Sequence, residues 1–198
     1  EHSNPGLRNV ARGLYEQAKP VSFFYQNEPL DTSQHHDHFS ILQAWAEAAP
    51  LFEAPVAVVT QIQKLNFKVA EGRKEVNADD VKARLLYEAM VTSIEVGSGI
   101  DGYRVLLGAI TELSRPNFLF AALVQLARLN SSEASFDTLK STFEKCERND
   151  DLDLAYAKLL NRQGCKEEAR YIVSRLPHKR FDGVRNNHSF GFSDISYT

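Results

Sequence analysis

The sequence predicts an all-α protein of packed antiparallel helical hairpins, arranged either as a bundle or as a short helical array. Apolar residues recur at helical spacing through most of the chain, and Pro, Gly, Asn or Ser residues separate those segments. Alternating apolar and polar residues are nowhere numerous enough to build a sheet. Short connections favour antiparallel neighbours. We therefore expect about nine to ten helices, followed by an ordered non-helical C-terminal tail.

Prolines and the residues that cap helices divide the first half of the chain. Asn4 and Pro5 are a cap and first-turn pair. The helix that they begin has an apolar stripe made of Leu7, Val10, Ala11 and Leu14. Helical spacing is lost over residues 19–34, which indicates an ordered connection or a short extended piece. Two further helices are predicted over residues 37–49 and 55–70.

The second half of the chain is divided in the same way. Asn77 caps a helix with a broad apolar face, and the glycine-containing residues 97–99 separate this helix from the next. Pro116 ends that next helix and starts the most apolar one of the chain. Ser131 or Ser132 then caps a strongly amphipathic helix. A tight helical hairpin closes the helical part.

These boundaries predict one all-helical domain over residues 1–176, with a possible sub-domain break near residues 71–77. Residues 177–198 have a different composition, with glycines, paired asparagines and aromatic residues among polar ones. We expect this tail to dock on the domain or on a partner, and its aromatic residues are the predicted anchors.

The closing hairpin carries the most specific pattern in the chain. Its small and apolar residues recur at spacings of three, four, five and four positions, at Ala157, Leu160, Gly164, Ala169 and Val173. This pattern resembles the tetratricopeptide repeat, in which two antiparallel helices cross at small residues and turn on a glycine. Leu160 and Lys166 stand where that family prefers aromatic residues, and no second copy occurs at the period of about 34 residues that an array would show. An ordinary helical hairpin is the alternative interpretation.

The resemblance implies a concave face that binds a peptide or a partner helix, and it implies no chemistry. The predicted function is accordingly a protein–protein interaction module, an adaptor or scaffold. Its candidate contact residues lie on the hairpin and in the tail: Leu160, Arg162, Lys166, Arg170, Phe190 and Phe192. A structural subunit of a homo-oligomer is an alternative.

The residues 34–38, QHHDH, suggest a second alternative, a small metal-dependent enzyme. His35, Asp37 and His38 are of the types that bind zinc and other transition metals. Only His35 and His38 have the spacing that would place both on one side of a helix. A polar cap in front of a helix explains the same residues, so we expect no cofactor, and catalysis is the less favoured function.

Composition restricts the remaining possibilities. The chain has 198 residues, of which 43% are hydrophobic, and it carries 23 basic against 26 acidic residues. This balance lacks the cationic excess that phosphate contacts require, so we expect no nucleic-acid partner. No apolar run reaches the roughly 20 residues of a transmembrane helix. No secretory signal is visible, which favours a cytoplasmic protein, although a chain that begins at Glu1 rather than Met allows for a removed upstream segment.

Overall fold

The computed structural model describes residues 9–10, 12–17, 30–31, 36–68, 77–97 and 99–176, and the fold over these residues is all-α, as the sequence predicts. Residues 12–17 are helical. The eight longer helices are α1 (His36–Ala48), α2 (Pro55–Lys64), α3 (Ala78–Glu95), α4 (Ile100–Glu112), α5 (Pro116–Arg128), α6 (Phe136–Phe143), α7 (Asp150–Arg162) and α8 (Lys166–Ser174). Short 3-10 helices cover Ala49–Leu51 and Ser132–Ala134. None of the helices within these residues is long and apolar enough to cross a membrane.

Extended structure within the described residues is limited to one parallel bridge. It joins β1 (Leu30–Asp31) to β2 (Phe67–Lys68), with Leu30 opposite Phe67. The helix predicted over residues 55–70 is therefore too long, because α2 ends at Lys64 and β2 follows it. Leu65 adopts an extended conformation, with φ −61° and ψ 133°, which leads the chain into β2.

The chain falls into two compact units, which divide between Phe118 and Leu119, inside α5. The break that the sequence predicts instead lies near residues 71–77. The helices before and after that segment pack on each other, because α3 contacts both α1 and α2, and α4 contacts both α2 and α3. They therefore belong to the same unit. The predicted tail, residues 177–198, lies outside the described residues.

The first unit is built around α3, which is the longest helix described. Its largest fully buried side chains come from α1, α2, α3 and α4 and from the residue that follows α2. They are Trp45, Leu42, Ile62, Leu65, Leu85, Leu86, Met90, Leu106 and Ile110. Asn77 caps α3 as predicted, because its side chain accepts a hydrogen bond from the backbone N–H of Asp79 at 2.9 Å. Arg115 then contacts Asp79 at 3.3 Å and Asp80 at 3.1 Å. This pairing fastens the turn after α4 to the first turn of α3.

The N-terminal helix docks through a different face from the one that the sequence predicts. Val10 and Leu14, two members of the predicted apolar stripe, are 62% and 63% exposed. Tyr15 is buried instead, and its ring stacks on Phe52 with the ring centroids 4.9 Å apart. Its hydroxyl donates to Glu53. Burial and this neighbouring carboxylate raise the pKa of Tyr15, so the hydroxyl keeps its proton at neutral pH.

A polar cluster joins α1 to α3 in the same unit. The Nε2 atom of Gln43 lies 3.1 Å from the Oε1 atom of Glu47 and 3.4 Å from the Oε1 atom of Glu88. Arg84 donates to Gln43 at 3.2 Å. Burial raises the pKa of Glu88 to about 7, and repulsion from Glu47 adds to this rise. The positive charge of Arg84 acts in the opposite direction and lowers the pKa.

An aromatic cluster forms the centre of the second unit. The ring centroids of Phe120 and Phe143 are 5.2 Å apart, and those of Phe143 and Tyr156 are 4.0 Å apart in a stacked arrangement. Phe120 also meets Tyr156 edge to face at 6.3 Å. These three residues belong to α5, α6 and α7, so one cluster joins three helices. It holds α7 in place, which is the first helix of the closing hairpin.

Removal of the Phe120 ring tests the importance of this cluster. Phe120 is fully buried, so we expect Phe120→Ala to lower the free energy of unfolding by about 3–5 kcal/mol. The control is Tyr171→Ala, which removes a ring that is 63% exposed and should change that free energy by less than about 0.5 kcal/mol. Urea denaturation measures the free energy of unfolding of both variants. Equal effects would contradict the central place of the cluster.

The cluster around Glu88 predicts a pH dependence of stability. The folded-state pKa of about 7 lies above the ordinary value of 4.5, so protonated Glu88 favours the folded state. This contribution is complete below about pH 4.5 and is lost as the pH rises through about 7. We therefore expect the free energy of unfolding to be lower at about pH 8 than at about pH 5, because Glu88 is ionised at the higher pH.

Urea denaturation at both pH values measures this loss. Glu88→Gln should flatten the dependence, because an amide does not titrate. Glu95→Gln, which alters an exposed carboxylate on the same helix, is the matched control and should leave the dependence as in the wild type. A dependence that is unchanged in Glu88→Gln would show that another group causes it.

Candidate functional site

The turn between α7 and α8 fixes the geometry of the candidate site. Gly164 has a left-handed backbone, with φ +82°. The N–H of Cys165 donates to the carbonyl of Leu160 at 2.9 Å, and the N–H of Gly164 donates to the carbonyl of Asn161 at 3.2 Å. This pair of bonds is the Schellman motif, in which a glycine ends a helix and satisfies its last carbonyls. It lets α8 begin at Lys166 and run back along α7.

One face of the hairpin is buried in the second unit, and the other forms a groove. The buried face contains Leu152, Tyr156, Leu160, Ile172 and Leu176. The groove has a volume of about 430 Å³. Its lining residues are Leu154, Ala157, Lys158, Asn161, Lys166, Ala169, Arg170, Val173 and Ser174. We refer to this surface as the α7–α8 groove.

The two helices contribute matching stripes to the α7–α8 groove. On α7 the lining residues lie at positions i, i+3, i+4 and i+7 from Leu154. On α8 they lie at the same spacings from Lys166, and Ser174 follows at i+8. These spacings describe one continuous face of a helix over two turns. Ala157 and Ala169 are buried where the helices meet, whereas Leu154 and Val173 are half-buried. The groove therefore has an apolar floor.

The α7–α8 groove is cationic as well as apolar. Lys158, Lys166 and Arg170 are exposed, and no carboxylate is among the described residues that line the groove. Arg170 pairs with Glu167, which lies outside the groove lining, at 2.8 Å. Both of these side chains are mostly exposed, so water screens the pair and its stabilisation is small. Arg170 therefore remains able to interact with a ligand.

The contact residues predicted from the sequence have different positions. Lys166 and Arg170 line the α7–α8 groove. Leu160 is 0% exposed and lies in the core of the unit, where it cannot meet a partner. Arg162 is exposed in the last turn of α7 but does not line the groove. Phe190 and Phe192 lie outside the described residues.

Sequence reasoning missed most of the lining residues as candidate contacts, among them Leu154, Lys158 and Val173. The signal was present in the pattern. Leu154 lies three positions before Ala157, Lys158 lies four positions after Leu154, and Val173 lies four positions after Ala169. Residues at these spacings share a helix face. The direction in which that face points could not be read from the spacing alone.

A second cleft lies on the other side of the same hairpin, with a volume of about 250 Å³. The stacked rings of Phe143 and Tyr156 belong to its lining. Arg148 lies over the Phe143 ring at 4.5 Å and donates to Asp153 at 2.6 Å. The remaining charged lining residues are Lys140, Glu144, Glu168 and Arg175. Because both signs of charge alternate around it, this cleft favours no charged class of ligand.

The proposed metal ligands do not form a described site. His35 lies outside the described residues, and Asp37 and His38 belong to α1 without described side chains. Among the side chains that the structure describes, no group of three His, Cys, Asp or Glu residues could hold a metal ion. Cys146 and Cys165 are free thiols. Burial raises the pKa of Cys146 to about 11, so its reactive thiolate form is scarce at neutral pH.

Comparison of the chain with protein-family models, curated proteins and solved structures gives no match. The resemblance of the closing hairpin to the tetratricopeptide repeat therefore remains a local one, and the functional argument depends on the geometry of the α7–α8 groove.

Substitution of Gly164 tests the turn that creates the groove. An added Cβ atom would meet no atom within 4 Å, so the cost of Gly164→Ala comes from its left-handed backbone alone. We expect a destabilisation of about 1–2 kcal/mol. Gly108→Ala is the matched control, because its Cβ also meets nothing but the residue lies inside α4. It should stabilise the protein by about 0.5–1 kcal/mol. Thermal unfolding that shows the same sign for both variants would contradict the account of the turn.

Proposed function

We propose that the protein is an interaction module, which binds a partner peptide or helix in the α7–α8 groove. The main support is the pair of matching stripes, one from each helix, whose polar members are exposed to solvent. In a helical bundle, such a face would pack against another helix. Here the face forms a groove with an apolar floor.

The dimensions and chemistry of the groove support binding rather than catalysis. A volume of about 430 Å³ lies within the range of about 300–1,000 Å³ that is typical of ligand sites. Its described polar groups are lysine, arginine, asparagine and serine side chains, and the part of the lining that the structure describes contains neither a histidine nor a carboxylate to act as a general base. The described lining can therefore hold a ligand, but it lacks the histidine and carboxylate side chains that most often transfer a proton.

A display selection provides a direct test. A library of random peptides is selected for binding to the full chain. The affinity of the enriched peptides is then measured for the wild type and for the double variant Leu154→Glu/Val173→Glu. Both side chains belong to the apolar floor. A bound peptide would bury the introduced carboxylates and remove their hydration, which costs free energy. We expect binding to weaken at least about tenfold, as for an interface hot spot.

The matched control for this test is Val96→Glu/Leu129→Glu. These residues are exposed apolar side chains that do not line the groove, so the control adds the same charge elsewhere. Asn161→Trp is a second groove variant, because a bulky side chain at this exposed lining position should obstruct the groove without entering the core. If no peptide is enriched, or if the enriched peptides bind both groove variants as they bind the wild type, the proposal is wrong.

A further inference from the structure

We infer that the partner segment is an acidic amphipathic helix, an inference that rests on the proposed use of the α7–α8 groove and specifies its ligand. Two separate features of the groove lead to it. The first is the helical spacing of the lining residues, which suits a helical ligand. The second is the distribution of charge, which suits an anionic one.

The shape of the groove favours a helix over an extended peptide. The α7 stripe covers seven residue steps of helix and the α8 stripe covers eight, which is about 10.5 Å and about 12 Å at the rise of 1.5 Å per residue. Ala157 and Ala169 lie at the middle of the stripes, and their small side chains let a third backbone approach closely. No edge strand borders the groove to pair with an extended peptide, since both of its walls are helices. A ligand helix can place apolar residues at i, i+3, i+4 and i+7 into it.

The apolar contacts would concentrate at one end of the groove. Because α7 and α8 run antiparallel from the turn at Gly164, Leu154 and Val173 lie at the end far from the turn. Asn161 and Lys166 lie at the end close to it. The two large apolar side chains of the lining therefore lie at the far end, beside Ser174, and polar side chains alone lie at the end close to the turn. A ligand helix with its large apolar residues towards one end matches this gradient.

The rims of the groove define the charge of the ligand. Lys158 directly follows the buried Ala157, and Arg170 directly follows the buried Ala169, so each helix carries one exposed cation beside the floor. Lys166 adds a third cation near the turn. The whole chain has a formal net charge of −3, which makes this local excess of positive charge a property of the groove and not of the protein. Carboxylates along both flanks of a ligand helix would complement it.

The C-terminal residues of the chain itself are a poor complement. Residues 177–198 contain Lys179, Arg180 and Arg185 but only two carboxylates, Asp182 and Asp194. They also contain paired asparagines and two glycines, which disfavour a helix. The charge and composition of this segment therefore point to an acidic partner rather than to the tail as the occupant of the groove.

The test uses the peptide that is most enriched in the display selection and two analogues of it. In the first analogue every Glu and Asp is replaced by Gln and Asn, and in the second a central proline interrupts the helix. Fluorescence anisotropy with the full chain measures the dissociation constants at low and at physiological salt. Circular dichroism measures the helix that the peptide gains on binding.

We expect the selected peptide to be rich in carboxylates and to gain helix in the complex. The amide analogue should bind about tenfold more weakly at low salt, as the loss of several exposed ion pairs implies, and salt should reduce the difference. The proline analogue should lose most of its affinity. Lys158→Glu/Arg170→Glu should weaken the selected peptide about tenfold, whereas Arg162→Glu, an exposed charge reversal on α7 outside the groove lining, should change the affinity less than about twofold.

The outcomes separate this inference from the proposed function. Peptides that depend on Leu154 and Val173 but are neutral or basic, or that bind equally well as amide or proline analogues, would overturn the acidic helix and leave the groove as a binding site. Equal effects of Arg162→Glu and of the groove reversals would also overturn it, because the attraction would then be unspecific. Self-association of the chain that the groove variants abolish would identify a second copy as the occupant. Failure to enrich any groove-dependent peptide would refute the proposed function itself.

Discussion

The left-handed turn at Gly164 is the constraint on which the candidate site depends. A residue with φ +82° ends α7 and lets α8 begin at Lys166, so the two helices run side by side. One side of the pair is buried against the aromatic cluster of Phe120, Phe143 and Tyr156. The other side therefore faces away from the core of its unit and forms the α7–α8 groove. The turn thus connects one backbone conformation to the presence of the candidate binding surface.

In each helix of the hairpin, a small buried residue is followed directly by an exposed basic residue. Ala157 is buried and Lys158 is exposed, and the same order repeats at Ala169 and Arg170. Small buried residues bring the helices together, and each is followed by a long cationic side chain at the rim. Long basic side chains cover apolar surface with their methylene groups while their charges remain in water. The groove can therefore stay hydrated without a ligand and still offer an apolar floor to one.

The sequence predicted the all-α class and many helix boundaries because capping and turn residues act locally. Asn77 and Gly164 perform the local roles that their residue types indicate. Long-range contacts account for the remainder. The pairing of β2 with β1 replaces the predicted end of α2. The contacts of Tyr15 with Phe52 and Glu53 decide which face of the N-terminal helix is buried. Packing within the second unit buries Leu160, whereas Lys166 lines the groove. Spacing identifies a helix face, but only packing decides which face is buried.

Hydrogen exchange of the full chain, with and without the most enriched peptide, tests the central claim most directly. Bound ligand slows the opening of the helices that it contacts, and this slowing is measured at backbone amides. We predict that added protection concentrates in residues 154–161 and 166–174, the two segments that line the α7–α8 groove. Protection confined to the first unit, with no change in α7 or α8, would contradict the account.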